Sequence, residues 1–437
     1  NLFSNNMVNR SKQPEISVFK KVQLHFPTPV TLQNGIPVWV VGDGDDEVNR
    51  VELYIGGGIY QEHKPLLAYL TGLLTFEGNA NQSAEQVAEA LDYYGAVKSA
   101  QPNDQCTMVS LSSLNHNFSS TAKILFDGIS TPLYPEQECE LYLRRLASNV
   151  ETARQRVDYL ANVEMRRLYY GESHPLAAEA TPEALLSITN DDYKQFYKKY
   201  YNADNLRIVF SGKITDKEMA VLDSTIGTWN VRGEKVDDTQ EPPIQPSDEM
   251  LSIIDKKGAL QSAVAITIRA IPRRHPDYFK LRLLITAFGG YFGSRLNMNI
   301  REDKGYTYGI HGYLSGRSND SYISVVSTCA TQYTWPVIDE VKKEMHRLRT
   351  EPMPAEELST VKQHMLSDLM KTLDTPFSIA RYVADSFTVG IYPEYFNEQV
   401  DAILQCTPAD VMEMANKYLL DTKMRIVIAG DKQILKK

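Results

Sequence analysis

The segment D-Y-K-Q-F-Y-K-K-Y-Y-N-A-D-N-L-R-I-V-F-S-G, Asp192 to Gly212, returns as D-V-M-E-M-A-N-K-Y-L-L-D-T-K-M-R-I-V-I-A-G, Asp410 to Gly430, at a constant offset of 218 residues. Lys199-Tyr200 matches Lys417-Tyr418, and Arg207 matches Arg425. Each copy reads as an amphipathic helix, a short link and a buried strand ending in glycine. Thr189 and Thr407 stand at equivalent places upstream, where a hydroxyl can cap the first turn. A period this long marks a duplicated domain and not a solenoid unit. Asn230 to Glu249, N-V-R-G-E-K-V-D-D-T-Q-E-P-P-I-Q-P-S-D-E, is rich in proline and charge and reads as the joint. The expected organisation is an N-terminal domain over residues 1–229, a linker over 230–249 and a C-terminal domain over 250–437.

Within each half, strands come first, then a helix, more strands, long helices and the final helix and strand. That order predicts an α+β fold of two homologous α/β sandwich halves, each a mostly antiparallel sheet covered by helices. Strands are expected near Ile36, Val51, Cys106, Ala263 and Tyr322. Helices are expected over Ser83–Tyr94, Glu136–Leu168, Tyr278–Phe288, Thr334–Leu348 and Ala355–Leu373. Two such halves facing one another enclose a cleft.

Composition excludes several function classes. With 437 residues, 43% hydrophobic and 23% charged, the chain has material for several cores and is not disordered. A formal net charge of −9 argues against a phosphate backbone as partner, since nucleic-acid affinity is largely cation neutralisation. Cys106, Cys139, Cys329 and Cys406 are far apart and form no C-x-x-C pair, so buried free thiols are expected instead of a zinc ribbon or a disulfide framework. No run reaches the roughly eighteen apolar residues of a membrane span. The polar opening N-L-F-S-N-N-M-V-N-R is no signal peptide.

The stretch L-L-A-Y-L-T-G-L-L-T-F-E-G-N, Leu66 to Asn79, follows a glycine-ended strand, V-E-L-Y-I-G-G-G from Val51 to Gly58, and Gln61-Glu62. After it comes A-L-D-Y-Y-G-A. This frame resembles the M16 metallopeptidases, the pitrilysin-like and mitochondrial-processing-peptidase-like family. In that family an H-x-x-E-H segment places two zinc-binding imidazoles and a water-activating carboxylate on one helical face. Laid on the frame, the two ligand positions fall on Tyr69 and Leu73 and the base on Gly72. Neither glycine nor leucine can bind zinc or move a proton. The third family ligand, a glutamate on a later helix, falls near Glu151 in S-N-V-E-T-A-R, one residue out of register, where an ordinary helix carboxylate is the simpler reading.

A second segment, G-G-Y-F-G-S-R-L-N-M-N-I-R-E-D-K-G-Y-T-Y-G from Gly289 to Gly309, is similar to the family's "R/Y" segment. The resemblance implies that Arg301 and Tyr308 face a catalytic zinc from the opposite domain. A guanidinium and a phenol can donate to a tetrahedral oxyanion and to substrate carbonyls. Without the family frame, Arg301 reads as a surface ion pair with Glu302 or Asp303, and Tyr308 as a half-buried strand aromatic. The glycines Gly289 to Gly293 lack the phosphate-binding pattern, and a tight strand-to-helix turn accounts for them. His63, His174, His275 and His311 have no ligand spacing.

Taken over nearly the whole chain, Pro27 to Gly430, the resemblance implies a LuxS/MPP-like metallohydrolase fold of the zinc-motif-lacking subunit type. Some bacterial members resemble split enzymes, one subunit carrying H-x-x-E-H and a homologous partner the arginine and tyrosine. The expectation is a chain inactive alone that binds no cofactor itself. Its partner would be an H-x-x-E-H subunit holding the zinc, its substrate a peptide or unfolded polypeptide, and its place the bacterial periplasm or envelope. A homodimer of the isolated chain stays open. Two other readings stand beside this one: a structural scaffold subunit like the core proteins of the respiratory bc1 complex, and a peptide-binding chamber without hydrolysis.

Overall fold

A computed structural model of the chain describes residue 11 and residues 23–435. The polar opening read as no signal peptide lies outside the described residues. The first sheet contains β1 (Val30–Thr31), β2 (Pro37–Val41), β3 (Val48–Gly56), β4 (Val97–Pro102), β5 (Cys106–Leu114) and β6 (Leu206–Gly212), in the order β1-β2-β6-β3-β5-β4. The second contains β7 (Leu251–Asp255), β8 (Gln261–Arg269), β9 (Thr307–Gly316), β10 (Ser321–Ala330) and β11 (Arg425–Gly430), in the order β7-β11-β8-β10-β9. Apart from β1 the two orders correspond strand for strand. Each has one parallel pair, β2 with β6 and β7 with β11, and antiparallel pairs elsewhere.

The repeated segment that revealed the duplication folds the same way twice. Thr189 and Asp192 close a capping box on the helix Asn190–Tyr200, and Thr407 and Asp410 close one on the helix Pro408–Tyr418. Asp192 also accepts from Lys64, and Asp410 from Lys280, each at 2.7 Å, so both helices are fastened to their halves by equivalent ion pairs.

Strand alternation divides each sheet between two cores. On β8, Val264, Ile266 and Ile268 enter the core made with that half's own helices, while Ala263 and Ala265 turn to the other face. There, with Val427 and Ala429 of β11, they meet Ala161, Met165 and Leu168 of the helix Val157–Tyr170, which comes from the first half of the chain. The alanines let that helix lie close on the strands. The first sheet is covered in return: Val41, Tyr54, Cys106, Met108 and Val209 pack against Ala380, Val383, Ala384 and Phe387 of the helix Pro376–Thr388, which comes from the second half. The two helices stand at equivalent places in the duplication, so the halves exchange a helix reciprocally. This is why β3 and β8 are buried almost end to end where a one-sided sheet would alternate.

Two expectations require correction. The single helix over Glu136–Leu168 is two helices, Glu136–Ala153 and Val157–Tyr170, parted where Arg156 is extended. The first packs on its own half and the second crosses to the other sheet, a change of destination unmarked by glycine or proline. Second, Gly289 and Gly290 close a helix, Tyr278–Ile285, through a π turn, and do not lead from a strand into one. A Cβ on Gly289 would lie 2.6 Å from the backbone nitrogen of Gly312, so the glycine is needed for the turn to rest on β9. Residues 230–249, read as the joint, hold neither helix nor strand and are tied down by backbone hydrogen bonds. Val231 accepts from Ala203 N, and Gln245 N and Ser247 N donate to the carbonyls of Tyr170 and Leu168.

Phe387 concentrates the exchange contact, edge-on to Trp39 at 4.8 Å and to Tyr54 at 5.4 Å between centroids, with the Arg207 guanidinium over its ring. Phe387→Ala is expected to cost about 3–5 kcal/mol of stability in urea unfolding, the usual cost of emptying a buried phenylalanine site. A loss under about 1 kcal/mol would show that the exchanged helix contributes little.

Candidate functional site

The helix with the altered metal positions spans Leu67–Leu73 and runs into a 3-10 turn at Leu74–Phe76. Its start is unusual: Leu66 has φ +67°, and the Glu62 carboxylate accepts the N–H groups of both Leu66 and Ala68 at 3.0 Å. Burial pushes the Glu62 carboxyl up to about 7, against the pull of those two bonds. Glu62 therefore serves as a side-chain cap on the helix.

Along this helix the three family positions are occupied by packing. Leu73 is buried, and Tyr69 is partly buried against the first core. Burial raises the Tyr69 pKa, with Tyr142 adding to the effect and Arg145 opposing it. A Cβ on Gly72 would lie 2.7 Å from Thr107 Cγ2 and 2.9 Å from Val109 Cγ2, both on β5. The helix lies directly on the sheet, and a side chain at position 72 would overlap Thr107 and Val109. Phenol, hydrogen and isobutyl are not a zinc donor set, so this position does not fit the metal that the fold family carries there. Among the described residues no group of three His, Cys, Asp or Glu side chains could hold a metal ion.

The remaining candidates have local duties. Glu151 is exposed on the helix Glu136–Ala153. His63 pairs with Asp192 at 2.9 Å, and His174 Nδ1 accepts from Leu176 N while its ring stacks on Tyr170. His275 Nδ1 accepts from Asp277 N. All four cysteines are free and buried.

Arg301 and Tyr308 come together. Arg301 lies on a π-helical turn, Asn297–Asp303, and Tyr308 on β9, which ends the second sheet. Pairing of β9 with β10 slips between Ser327 and Cys329, leaving Tyr308 and Gly309 together opposite Thr328. The Thr307 hydroxyl holds this bulge, 2.8 Å from the Thr328 carbonyl and accepting from Gly309 N at 3.1 Å. A bulge re-aims a side chain. Here Tyr308 stands 90% exposed, while its neighbours Thr307 and Ile310 are buried. The Arg301 guanidinium lies 5.1 Å from the Tyr308 ring centroid and 4.7 Å from that of Phe292, which is itself exposed. Arg301 Nε also approaches Glu302 Oε1 at 3.4 Å, the ion pair foreseen in the plain reading, but Tyr308 is not the half-buried aromatic of that reading.

Sequence reasoning missed the groove beside this pair, a cavity of about 420 Å³ lined by Tyr308, His311 and Tyr313 of β9 and by Ala161 and Met165 of the exchanged helix. The signal available was the alternation of His311 and Tyr313 along an edge strand, while Tyr308 is one residue out of phase with them and reaches the same groove only through the bulge. Assigning the opposite wall required the helix exchange. No described strand pairs with the outer edge of β9, which leaves backbone donors and acceptors open for an added strand.

Residues 187–365 match the family described as Peptidase M16 inactive domain, a match that includes Arg301 and Tyr308. Over these residues the chain is similar to the M16 peptidase family. Similar proteins include a Bacillus subtilis protein named uncharacterized zinc protease YmxG, 21% identical over 79% of this chain and 84% of its own. A Helicobacter pylori protein named non-peptidase homolog YmxG is 22% identical over 78% of this chain and 79% of its own. Among solved structures, a peptidase M16 inactive domain from Pseudomonas fluorescens superposes with a TM-score of 0.83 at 20% identity, covering 93% of this chain and 98% of that one. The periplasmic protease PqqL from Escherichia coli superposes at 0.77 and 16% identity, over 96% of this chain and 47% of that one.

The packing around Gly72 makes the altered M16 helix testable. Gly72→Ala is expected to cost about 1–3 kcal/mol by overpacking against Thr107 and Val109, read by urea unfolding. Restoring the family letters with Tyr69→His, Gly72→Glu and Leu73→His is expected to leave the chain without stoichiometric zinc by elemental analysis. A folded triple variant holding one zinc per chain would refute the packing argument.

Proposed function

We propose that this chain is the zinc-lacking subunit of a two-chain M16-type peptidase. In this reading it supplies Arg301 and Tyr308 to a site whose metal is held by an H-x-x-E-H partner. The observation that carries the reading is a disjunction within one molecule: the helix that should bear the metal is sealed by packing at Gly72, while Tyr308 is held out into solvent with Arg301 stacked on it. Exposing a tyrosine on a bulged edge strand against a partly exposed arginine gains the isolated chain little stability. The same arrangement gives a second molecule two donors, a phenol and a guanidinium, aimed from one place.

Within the assembled pair, the substrate would lie extended along a strand edge with backbone pairing supplying affinity. The Tyr308 hydroxyl and the Arg301 guanidinium would donate to the carbonyl oxygen as negative charge develops there. Their contribution is orientation and charge stabilisation. Neither residue supplies a nucleophile. Among the described residues no helix is long and apolar enough to cross a membrane, and we place the pair in the bacterial periplasm or envelope, in line with the periplasmic M16 protein that shares the fold.

The test is to purify the chain alone and together with an H-x-x-E-H homologue, assaying both on an unfolded polypeptide. The lone chain is expected to be inactive and the pair active. Arg301→Ala or Tyr308→Phe in the pair is expected to lower kcat by about ten- to a thousandfold with assembly intact by gel filtration. Peptidase activity in the lone chain would overturn the proposal. Full activity of both variants in the pair would assign the chain a scaffold role instead.

A further inference from the structure

A second cavity, away from Arg301 and Tyr308, has the make-up of a ligand site. It measures about 440 Å³ and opens among the helices Tyr278–Ile285, Ala355–Lys371, Pro376–Thr388 and Tyr395–Gln405. That volume suits a small molecule and exceeds what one or two waters need. Its polar lining is incompletely satisfied. Arg273 donates to Tyr395 Oη at 2.8 Å and to the Gly316 carbonyl at 2.7 Å, but its Nε is buried with no partner. Among the described residues Arg282 reaches only the Gln399 side-chain oxygen, at 3.4 Å. The Tyr382 hydroxyl is buried and unpartnered on a residue 8% exposed.

Asp385 completes the set. Its carboxyl is largely buried and raised in pKa by that burial, in the field of Arg273, Arg381 and Arg282. No described residue bonds it. Buried polar groups are nearly always paired, and an unpaired one costs about 1–3 kcal/mol. Here opposite charges line one cavity without closing into an ion pair. Tyr382 and Asp385 are fixed to the exchanged helix, which Phe387 and Ala384 clamp to the first sheet, whereas Arg282 belongs to a helix of the second core.

Charge pattern selects the ligand class. A simple anion would satisfy the guanidiniums but face the Asp385 carboxylate, and a simple cation would face the reverse conflict. A molecule with both charges a short distance apart satisfies all the orphaned groups. We propose that this cavity binds a small zwitterion, a free amino acid or a short peptide with free termini. Its carboxylate would be held by Arg273, Arg282 and the Tyr382 hydroxyl and its ammonium by Asp385. Arg suits carboxylates through its planar, two-pronged donors. The site is independent of the partner-dependent role proposed for Arg301 and Tyr308.

Isothermal titration calorimetry of the whole chain tests this with L-alanine, L-alanyl-L-alanine, N-acetyl-L-alanyl-L-alanine, L-alanyl-L-alanine amide and inorganic phosphate. Saturable binding of the free amino acid or the free dipeptide is expected, and whichever binds more tightly identifies the source of the zwitterion. Each blocked analogue should bind at least about tenfold more weakly, the scale of one lost charged hydrogen bond. Arg282→Gln should weaken binding by a similar factor. Tyr382→Phe should weaken it without lowering the melting temperature, because only an unpartnered hydroxyl is removed. Arg301→Ala should leave binding unchanged. The proposal is overturned if neither free ligand binds saturably, if the blocked analogues bind equally well, if phosphate binds as tightly, or if Tyr382→Phe and Arg282→Gln bind as the parent does.

Discussion

The reciprocal exchange of helices between the two sheets is the contact on which the rest of the structure depends. Each half carries a sheet whose strands are apolar on both faces, and its own helices cover only one of them. The other face is covered by the helix Val157–Tyr170 in one direction and Pro376–Thr388 in the other. Burying apolar area is the main favourable term in folding, so neither half could leave these faces wet without losing much of its stabilisation. The linker reinforces the arrangement by bonding along the end of the first exchanged helix. A duplicated sequence has thereby become one interlocked molecule in place of two beads on a string.

That interlocking sets the different fates of the two motif positions. The helix Leu67–Leu73 sits against its own sheet, where each gain in packing is also a gain in stability. With no metal ligands on it, the helix rests directly on β5, and Gly72 is the point of closest approach to Thr107 and Val109. Arg301 and Tyr308 sit at the margin of the second sheet, where no core recruits them. Their geometry is fixed by backbone features, a π turn and a bulge held by Thr307 and Ser327. Local irregularity of this kind has a cost and is most often found where side chains must be aimed.

Much of the fold was legible because its signals are local. The offset of 218 residues predicted two matching halves, and Thr189 and Thr407 with their aspartates three residues on are capping boxes readable from letters alone. The helix expected over Ser83–Tyr94 runs over Ala84–Tyr94, with Ser83 capping its start and Gly95 in the left-handed region at its end. What escaped was non-local. Whether Ala263 faces its own helices or a helix from a hundred residues earlier leaves no mark on the alternation of β8. β9, with Gly309, Gly312 and Gly316 among its ten residues, has little of the β-branched character that marks strands. The break near Arg156 carries no breaker residue, because the destination of the next helix ends the first one and its propensity does not. For the candidate site, the letters at Tyr69, Gly72 and Leu73 conveyed loss of ligands, but only the neighbours of Gly72 show that a side chain there has no room.

Both cavities lie against the exchanged helices. One is bounded by Ala161 and Met165 of the first exchanged helix, the other by Tyr382 and Asp385 of the second. The first cavity lies at the sheet-facing side of its helix, where Ala161 and Met165 also pack on Ala263 and Ala265, and the second lies beside Tyr382, which belongs to the second half's own core. The linings differ because the surroundings differ. Beside Tyr308 the helix faces the end of a sheet, giving a groove open along a strand and suited to an extended chain. Beside Tyr382 it faces other helices, giving a pocket in which side-chain charge, and not backbone, is the available means of recognition.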